Sequence, residues 1–273
     1  PEPDSREFKE DKTLAKYQFS WMPNDDMSFY MIASQGYRLG GTNQQGIVAV
    51  PAGYGADELW NYELGAKTSW LDNRYNVNLA FFRIEWDDLQ VAGRDPTGAF
   101  GFIGNAGSAE VEGMEFEVVG RPMPSLEFAA GIAWLPTAEL TEDQVTDQVL
   151  APGREGDELP DIPELTANAT VQFDYHLPLQ GWEGYLRGEY SYKGSANSEL
   201  DTGSRLNRRM NSYEIFNFRA GFGNTDTGWD FVFYVENAFD ERGDVRVRTE
   251  DSLLTFNWTN PPRTVGVEIT RRF

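Results

Sequence analysis

The sequence predicts an all-β fold, a transmembrane antiparallel β-barrel, of which this chain supplies about eleven strands. Three observations carry that expectation. Apolar residues recur with a period of two along most of the chain, and short turns alternate with long connections. No stretch of ~18 apolar residues exists, so a membrane would have to be crossed by strands, which need only ~9–11 residues with alternate ones apolar.

The clearest strand runs from Leu165 to Leu177. Leu165, Ala167, Ala169, Val171, Phe173, Tyr175 and Leu177 share one face, while Thr166, Asn168, Thr170, Gln172, Asp174 and His176 share the other. In a second case Trp60, Tyr62, Leu64, Ala66, Thr68 and Trp70 alternate with Asn61, Glu63, Gly65, Lys67 and Ser69. At a rise of ~3.3 Å per residue and a tilt of ~45°, Trp60 and Trp70 are separated by ~23 Å along the membrane normal, close to the ~25 Å between the aromatic girdles of outer-membrane barrels. Trp134 and Trp229 stand at the ends of further alternating segments and are assigned to the same girdles. Charges such as Glu63, Lys67, Asp174, Arg187, Glu189, Arg219 and Glu268 fall on the polar face, which a wet or plugged lumen accepts and a dry sandwich core does not. Between Arg74 and Leu89 the apolar face changes parity near Phe81 and Phe82, which predicts a β-bulge. Met27 to Ile32 is apolar on both faces, so periodicity does not orient it.

Composition excludes several classes of function. Asp plus Glu outnumber Lys plus Arg by 44 to 23, a net charge of −21, which speaks against a nucleic-acid partner. The one basic cluster, Arg205, Arg208 and Arg209, is short. Cysteine is absent, so thiolate chemistry and disulfides are ruled out, and the single histidine, His176, sits in an alternating strand as a polar wall residue. No motif asks for a cofactor. Glu115 and Glu117 share one strand face, without the opposed geometry of an acid–base pair, and no enzyme is expected.

Short turns are expected at Pro23 to Asp26, Asp72-Asn73, Pro122 to Ser125, Leu179 to Trp182 and Asn224 to Thr227. Long connections are expected near 39–57, 94–108, 139–162, 197–210 and 239–262. Periplasmic turns and extracellular loops differ in this way. Bacterial barrels normally have an even strand number, and open edges cannot face lipid, so eleven strands require others upstream. That expectation, with the start at Pro1, reads the chain as the C-terminal portion of a larger barrel.

Four segments then resemble the C-terminal barrel region of TonB-dependent receptors. They are Phe19-Ser20-Trp21 through Pro23-Asn24-Asp25-Asp26 and on to Gly40-Gly41; Glu58 through Tyr62-Glu63-Leu64-Gly65-Ala66-Lys67; Val235-Glu236-Asn237-Ala238-Phe239-Asp240; and Pro262-Arg263-Thr264-Val265-Gly266 through Phe273. The resemblance implies a barrel of about 22 strands around an N-terminal plug, in the bacterial outer membrane. It also implies uptake of a scarce ligand, a ferric siderophore first and haem, cobalamin or a glycan otherwise. Energy would come from the TonB complex acting on a region outside residues 1–273. Phe273 is similar to the terminal aromatic read by the barrel-assembly machinery. A passive porin-type channel is the alternative within the membrane class, and a soluble β-sandwich binding module the alternative outside it.

Aromatic and arginine residues of the long loops are the candidates for ligand contact: Tyr37, Arg38, Tyr54, Arg205, Arg208, Arg209 and Trp258. The arginines suit an anionic siderophore or a lipopolysaccharide phosphate. The acidic run Glu155, Asp157, Glu158, Asp161 and Glu164 lacks the EF-hand spacing for Ca²⁺ and reads as a solvated loop, so no metal site is expected.

Overall fold

The structure is a computed structural model and describes residues 11–44, 50–95, 100–144, 152–249 and 254–272. Along the chain, β1 (Lys16–Asn24) and β2 (Met27–Arg38) precede a loop hairpin, β3 (Gly41–Thr42) and β4 (Gly53–Tyr54). The wall continues with β5 (Asp57–Trp70) and β6 (Tyr75–Asp87), followed by the hairpin β7 (Gln90–Arg94) and β8 (Gly101–Asn105). Four wall strands follow: β9 (Ala109–Met123), β10 (Leu126–Leu140), β11 (Leu165–His176) and β12 (Trp182–Lys193). A short pair, β13 (Ala196–Asn197) and β14 (Arg209–Met210), precedes β15 (Tyr213–Asn224) and β16 (Trp229–Glu236). The hairpin β17 (Asp244–Thr249) and β18 (Thr255–Thr259) leads into the last wall strand, β19 (Thr264–Arg271).

The wall is one 11-stranded antiparallel meander in the order β1-β2-β5-β6-β9-β10-β11-β12-β15-β16-β19. Among the described residues β1 and β19 each pair on one side only. The expected strand count therefore holds, as do the short turns at one end and long loops at the other. What periodicity missed is that four of the five long loops carry hairpins of their own.

Register assigns the faces. The row Phe19–Met31–Leu64–Phe81 is paired strand to strand, and so is the row Phe128–Val171–Gly188–Phe218–Val235–Val265. These apolar side chains are largely exposed, as lipid-facing residues are when only protein is present. Met27, Phe29 and Met31 join this face, and Ser28, Tyr30 and Ile32 the other, which orients the segment that periodicity left open. On the lumenal face Tyr30 lies over Gly65 and donates a hydrogen bond to Glu63 at 2.7 Å, so a Cβ at Gly65 would collide with the ring. Arg121–Glu127 (2.5 Å) and Arg187–Glu189 (2.6 Å) pair along the same wall.

The bulge expected near Phe81 and Phe82 is absent. β6 pairs residue for residue with β5 and with β9, without a shift. Parity changes because the surroundings of the wall invert. Below this point Phe81, Leu79 and Val77 face lipid. Above it Arg83 and Glu85 take the same side, while Phe82, Ile84 and Trp86 turn inward against the loop core. A register shift does occur one strand pair further on, between Trp134 and Thr137 of β10, at Pro136, where a ladder donor is missing in any case.

The four tryptophans expected at the girdles all take the lipid-facing parity. Trp60 and Trp70 share the lipid-facing side of β5, and the Trp70 indole donates to Thr68 Oγ1 at 2.9 Å. Trp134 lies opposite Leu165, with its indole on Glu164 at 3.1 Å. Trp229 lies opposite Arg271, whose guanidinium sits 5.0 Å from the ring, so the one cation on the lipid-facing side of β19 ends at an aromatic face. Phe273 lies outside the described residues.

Candidate functional site

The long loops assemble into one crown over the lumenal side. Leu89, Ala106, Ala109, Val111, Leu140 and Leu159 form its buried core, with Phe82, Ile84 and Trp86 packed beneath. Polar stitches join loop to loop. The Asn43 amide donates to Ile103 O (2.8 Å) and its Oδ1 accepts the Ile103 N–H (2.9 Å), which locks the β3–β4 hairpin to β8. The Asn197 amide donates to Glu158 at 2.7 Å, and Lys193 donates to Val245 O at 3.1 Å.

Between these hairpins lies a cavity of about 640 Å³, within the ~300–1,000 Å³ of small-molecule pockets. Its walls mix apolar side chains (Val91, Phe102, Ile103, Leu200) with Arg94, Arg246 and Arg248 and the carboxylates Asp161 and Glu199. Arg246 and Arg248 are two apart on β17 and share a face, while Val247 between them packs on Ala196 and Met210. Arg246 Nε stands 3.8 Å from Asp161. Burial pushes the Glu199 carboxyl up, only partly offset by Arg94 and Arg248, with Asp161 adding to the rise. Chemically this is a half-apolar recess with three guanidinium groups, suited to an organic anion of small-molecule size.

The sequence candidates stand around this cavity rather than in it. Arg38 points to the lumenal side, donates to Asp57 from Nε (2.9 Å) and to Gln90 O (3.2 Å), and lies 4.9 Å from the Trp86 ring. It clamps β2, β5 and the start of β7. Tyr37 falls on the opposite face of β2, across from Glu58, and Tyr54 is on β4 across from Gly41. Arg208 donates to the carbonyls of Arg205 (2.8 Å) and Asn207 (2.7 Å), and Arg209 to Ser195 Oγ (2.7 Å), so Arg208 and Arg209 brace the turn they occupy. Trp258 is half exposed on β18, 6.4 Å from Phe256. The cavity arginines were not among the sequence candidates. Their signal was the alternation Val245-Arg246-Val247-Arg248 inside a long loop, a strand pattern where irregular chain was expected.

The acidic run also becomes concrete. Asp157 accepts the Arg154 N–H (2.8 Å), Glu158 takes Asn197 and Glu164 takes Trp134. Among the described residues no three His, Asp or Glu side chains are placed so as to hold a metal ion together. The motif Asn237 to Asp240 is a staple: the Asn237 amide donates to Glu241 O and Pro261 O, both at 2.9 Å, and Asp240 accepts the Arg263 N–H at 2.9 Å. That N–H holds the Asp240 carboxyl below the usual range; desolvation opposes it, and Arg242 and Arg263 add to the lowering.

A single antiparallel meander with an apolar outer face, a charged inner face and a loop crown is the architecture of an outer-membrane β-barrel. The model of the family described as TonB dependent receptor-like, beta-barrel, matches residues 4–238, and the chain belongs to that family. It is 26% identical over 193 residues to a probable TonB-dependent siderophore receptor, PiuA, of Acinetobacter baumannii, covering 68% of this chain and 23% of that protein. The ferric yersiniabactin uptake receptor FyuA of Yersinia pestis shares the fold with a TM-score of 0.75 and 22% identity, over 93% of this chain and 36% of FyuA. The ferric preacinetobactin receptor BauA of Acinetobacter baumannii does so at 0.69 and 16%, over 97% of this chain and 37% of BauA. The chain thus spans 23% to 37% of the length of these proteins.

Proposed function

We propose that this chain is the C-terminal portion of the barrel of an outer-membrane receptor that imports a ferric siderophore, with energy from the TonB complex acting on a region outside these residues. The observation that carries the reading is the crown cavity, a half-apolar recess presenting Arg94, Arg246 and Arg248. Iron chelated by carboxylate, catecholate or phenolate oxygens is an anionic, partly aromatic ligand that such a recess suits. Family membership and the siderophore-receptor names of the relatives point the same way. The one-sided pairing of β1 and β19 supports closure by further strands. Insertion by the barrel-assembly machinery and contact with lipopolysaccharide belong to the same reading.

The test uses the intact receptor in its native membrane. Radioiron uptake and binding are measured across a panel of ferric siderophores, with haem, cobalamin and oligosaccharides as competitors. Uptake of one siderophore, abolished by a protonophore, is the expected result. Replacing Arg94 and Arg248 together by Ala should weaken its binding by about 100-fold, since each hydrogen bond lost to a charged group is worth ~1.5–3 kcal/mol. Uptake indifferent to the protonophore would point to a passive channel, and specific binding of haem, cobalamin or a glycan instead would overturn the siderophore assignment.

A further inference from the structure

We propose that the lipid-facing side of β1, β2, β5 and β6 holds one acyl chain of an outer-leaflet lipid in a built groove, with an amine-bearing headgroup at Arg83. Two directly paired rows frame the groove. The upper is Tyr17–Ala33–Tyr62–Arg83 and the lower Phe19–Met31–Leu64–Phe81. Between them lies a cavity of about 600 Å³, bounded almost entirely by apolar atoms. Its floor is low because Ala33 stands between two tyrosines.

Two glycines of this face are covered by the protein itself. Gly120 sits under the rings of Phe128 and Tyr75, and Gly184 under Tyr175. The space above Ala33 stays open as a groove, inside the apolar band that lipid tails contact. The groove runs across the strands, so with strands tilted at ~45° an occupant lies obliquely to the membrane normal, as an extended chain can. It sits toward the loop end of the wall, which selects the outer leaflet.

The upper end specifies the headgroup. Arg83 is held by Glu110 (2.6 Å), Glu112 (2.9 Å) and Glu85 (3.1 Å), all on the lipid-facing side. Three carboxylates around one guanidinium leave an excess of negative charge where headgroups begin. A bare phosphate is repelled there, whereas an ammonium is attracted, and the guanidinium remains at hand for the phosphate that accompanies it.

Native mass spectrometry of the intact receptor, released from its membrane in mild detergent, tests this. Wild type should retain one lipid with an amine-bearing headgroup, and so should the control Ala169→Trp, on the lipid-facing side of β11 away from the groove. Ala33→Trp, which fills the groove, should lower retention by about tenfold or more. Ala33→Met serves the same purpose if the larger residue blocks assembly, with heat-modifiable mobility as the check on folding. Glu110→Gln with Glu112→Gln should keep a lipid bound but lose the preference for an amine. Equal retention in wild type and the Ala33 variants, or detergent alone in every sample, would overturn the groove. Preferential retention of an amine-free anionic lipid by wild type would overturn the headgroup assignment.

Discussion

The wall and the crown are built from the same strands under opposite rules. Along β6 the lipid-facing side reads Val77, Leu79, Phe81 and then Arg83, Glu85; the lumenal side reads Asn76, Asn78, Ala80 and then Phe82, Ile84, Trp86. Within the bilayer the outer side must be apolar because lipid cannot hydrogen-bond, and the inner side is free to be polar. Beyond the bilayer water wets the outer side, while the loops fold over the inner side and dry it. The difference teaches that a parity change in a barrel strand can mark the membrane surface without any irregularity of the backbone.

That contrast can be broken at several points. Leu140 is almost wholly buried in the crown core, and Leu140→Ala should cost ~2–5 kcal/mol. The damage should stay in the loops: limited proteolysis would cut the crown while the wall keeps its heat-modifiable mobility. On the outer face, Leu64→Arg should cost ~2–4 kcal/mol in a folding equilibrium into vesicles, whereas Asp87→Arg, exposed on the same face beyond the inversion, should stay within ~0.5 kcal/mol. Equal costs would mean that the inversion does not coincide with the bilayer edge. Asn237→Ala removes a buried amide that joins Glu241 and Pro261, and should lower the opening free energy of the last loop by ~1–3 kcal/mol, read by hydrogen exchange.

The smallest effect is the dependence on pH. Glu199, raised by burial, holds its proton more readily in the folded crown than in the unfolded chain. Its contribution to crown stability is therefore greatest below the ordinary carboxylate range and declines as pH rises through the window up to the raised value. Protonation also removes a negative charge from beside Arg94 and Arg248, so an anionic ligand should bind more tightly as pH falls through that window. Glu199→Gln should flatten both trends in a titration of proteolytic protection and of ligand affinity.

Much of the wall was legible in the sequence because membrane and lumen impose opposite solvents on alternate residues. Leu165 to Tyr175 and Phe216 to Phe222 needed nothing more than their period. Phe81 and Phe82 misled for a physical reason: the period is read against an assumed constant environment, and there the environment changes. The crown was harder to read. Leu140 and Leu159 meet through loop closure, and the cavity arginines come from β7 and β17, far apart in the chain. Arg38 looked like a binding residue because it is a loop arginine next to aromatics, yet its partner Asp57 is visible only once β2 and β5 are registered.

The connectivity of the meander has one more consequence. Each wall strand touches only the strands that come just before and just after it in the wall. A two-strand unit exchanged together with its outer tip would therefore meet the rest of the wall at two backbone ladders and the rest of the crown at the contacts its tip makes, such as Asn43 with Ile103 or Asn197 with Glu158. Sequence change at one tip is thus answerable to the neighbouring tips, while the ladders of the shell ask only for backbone and alternate apolar side chains.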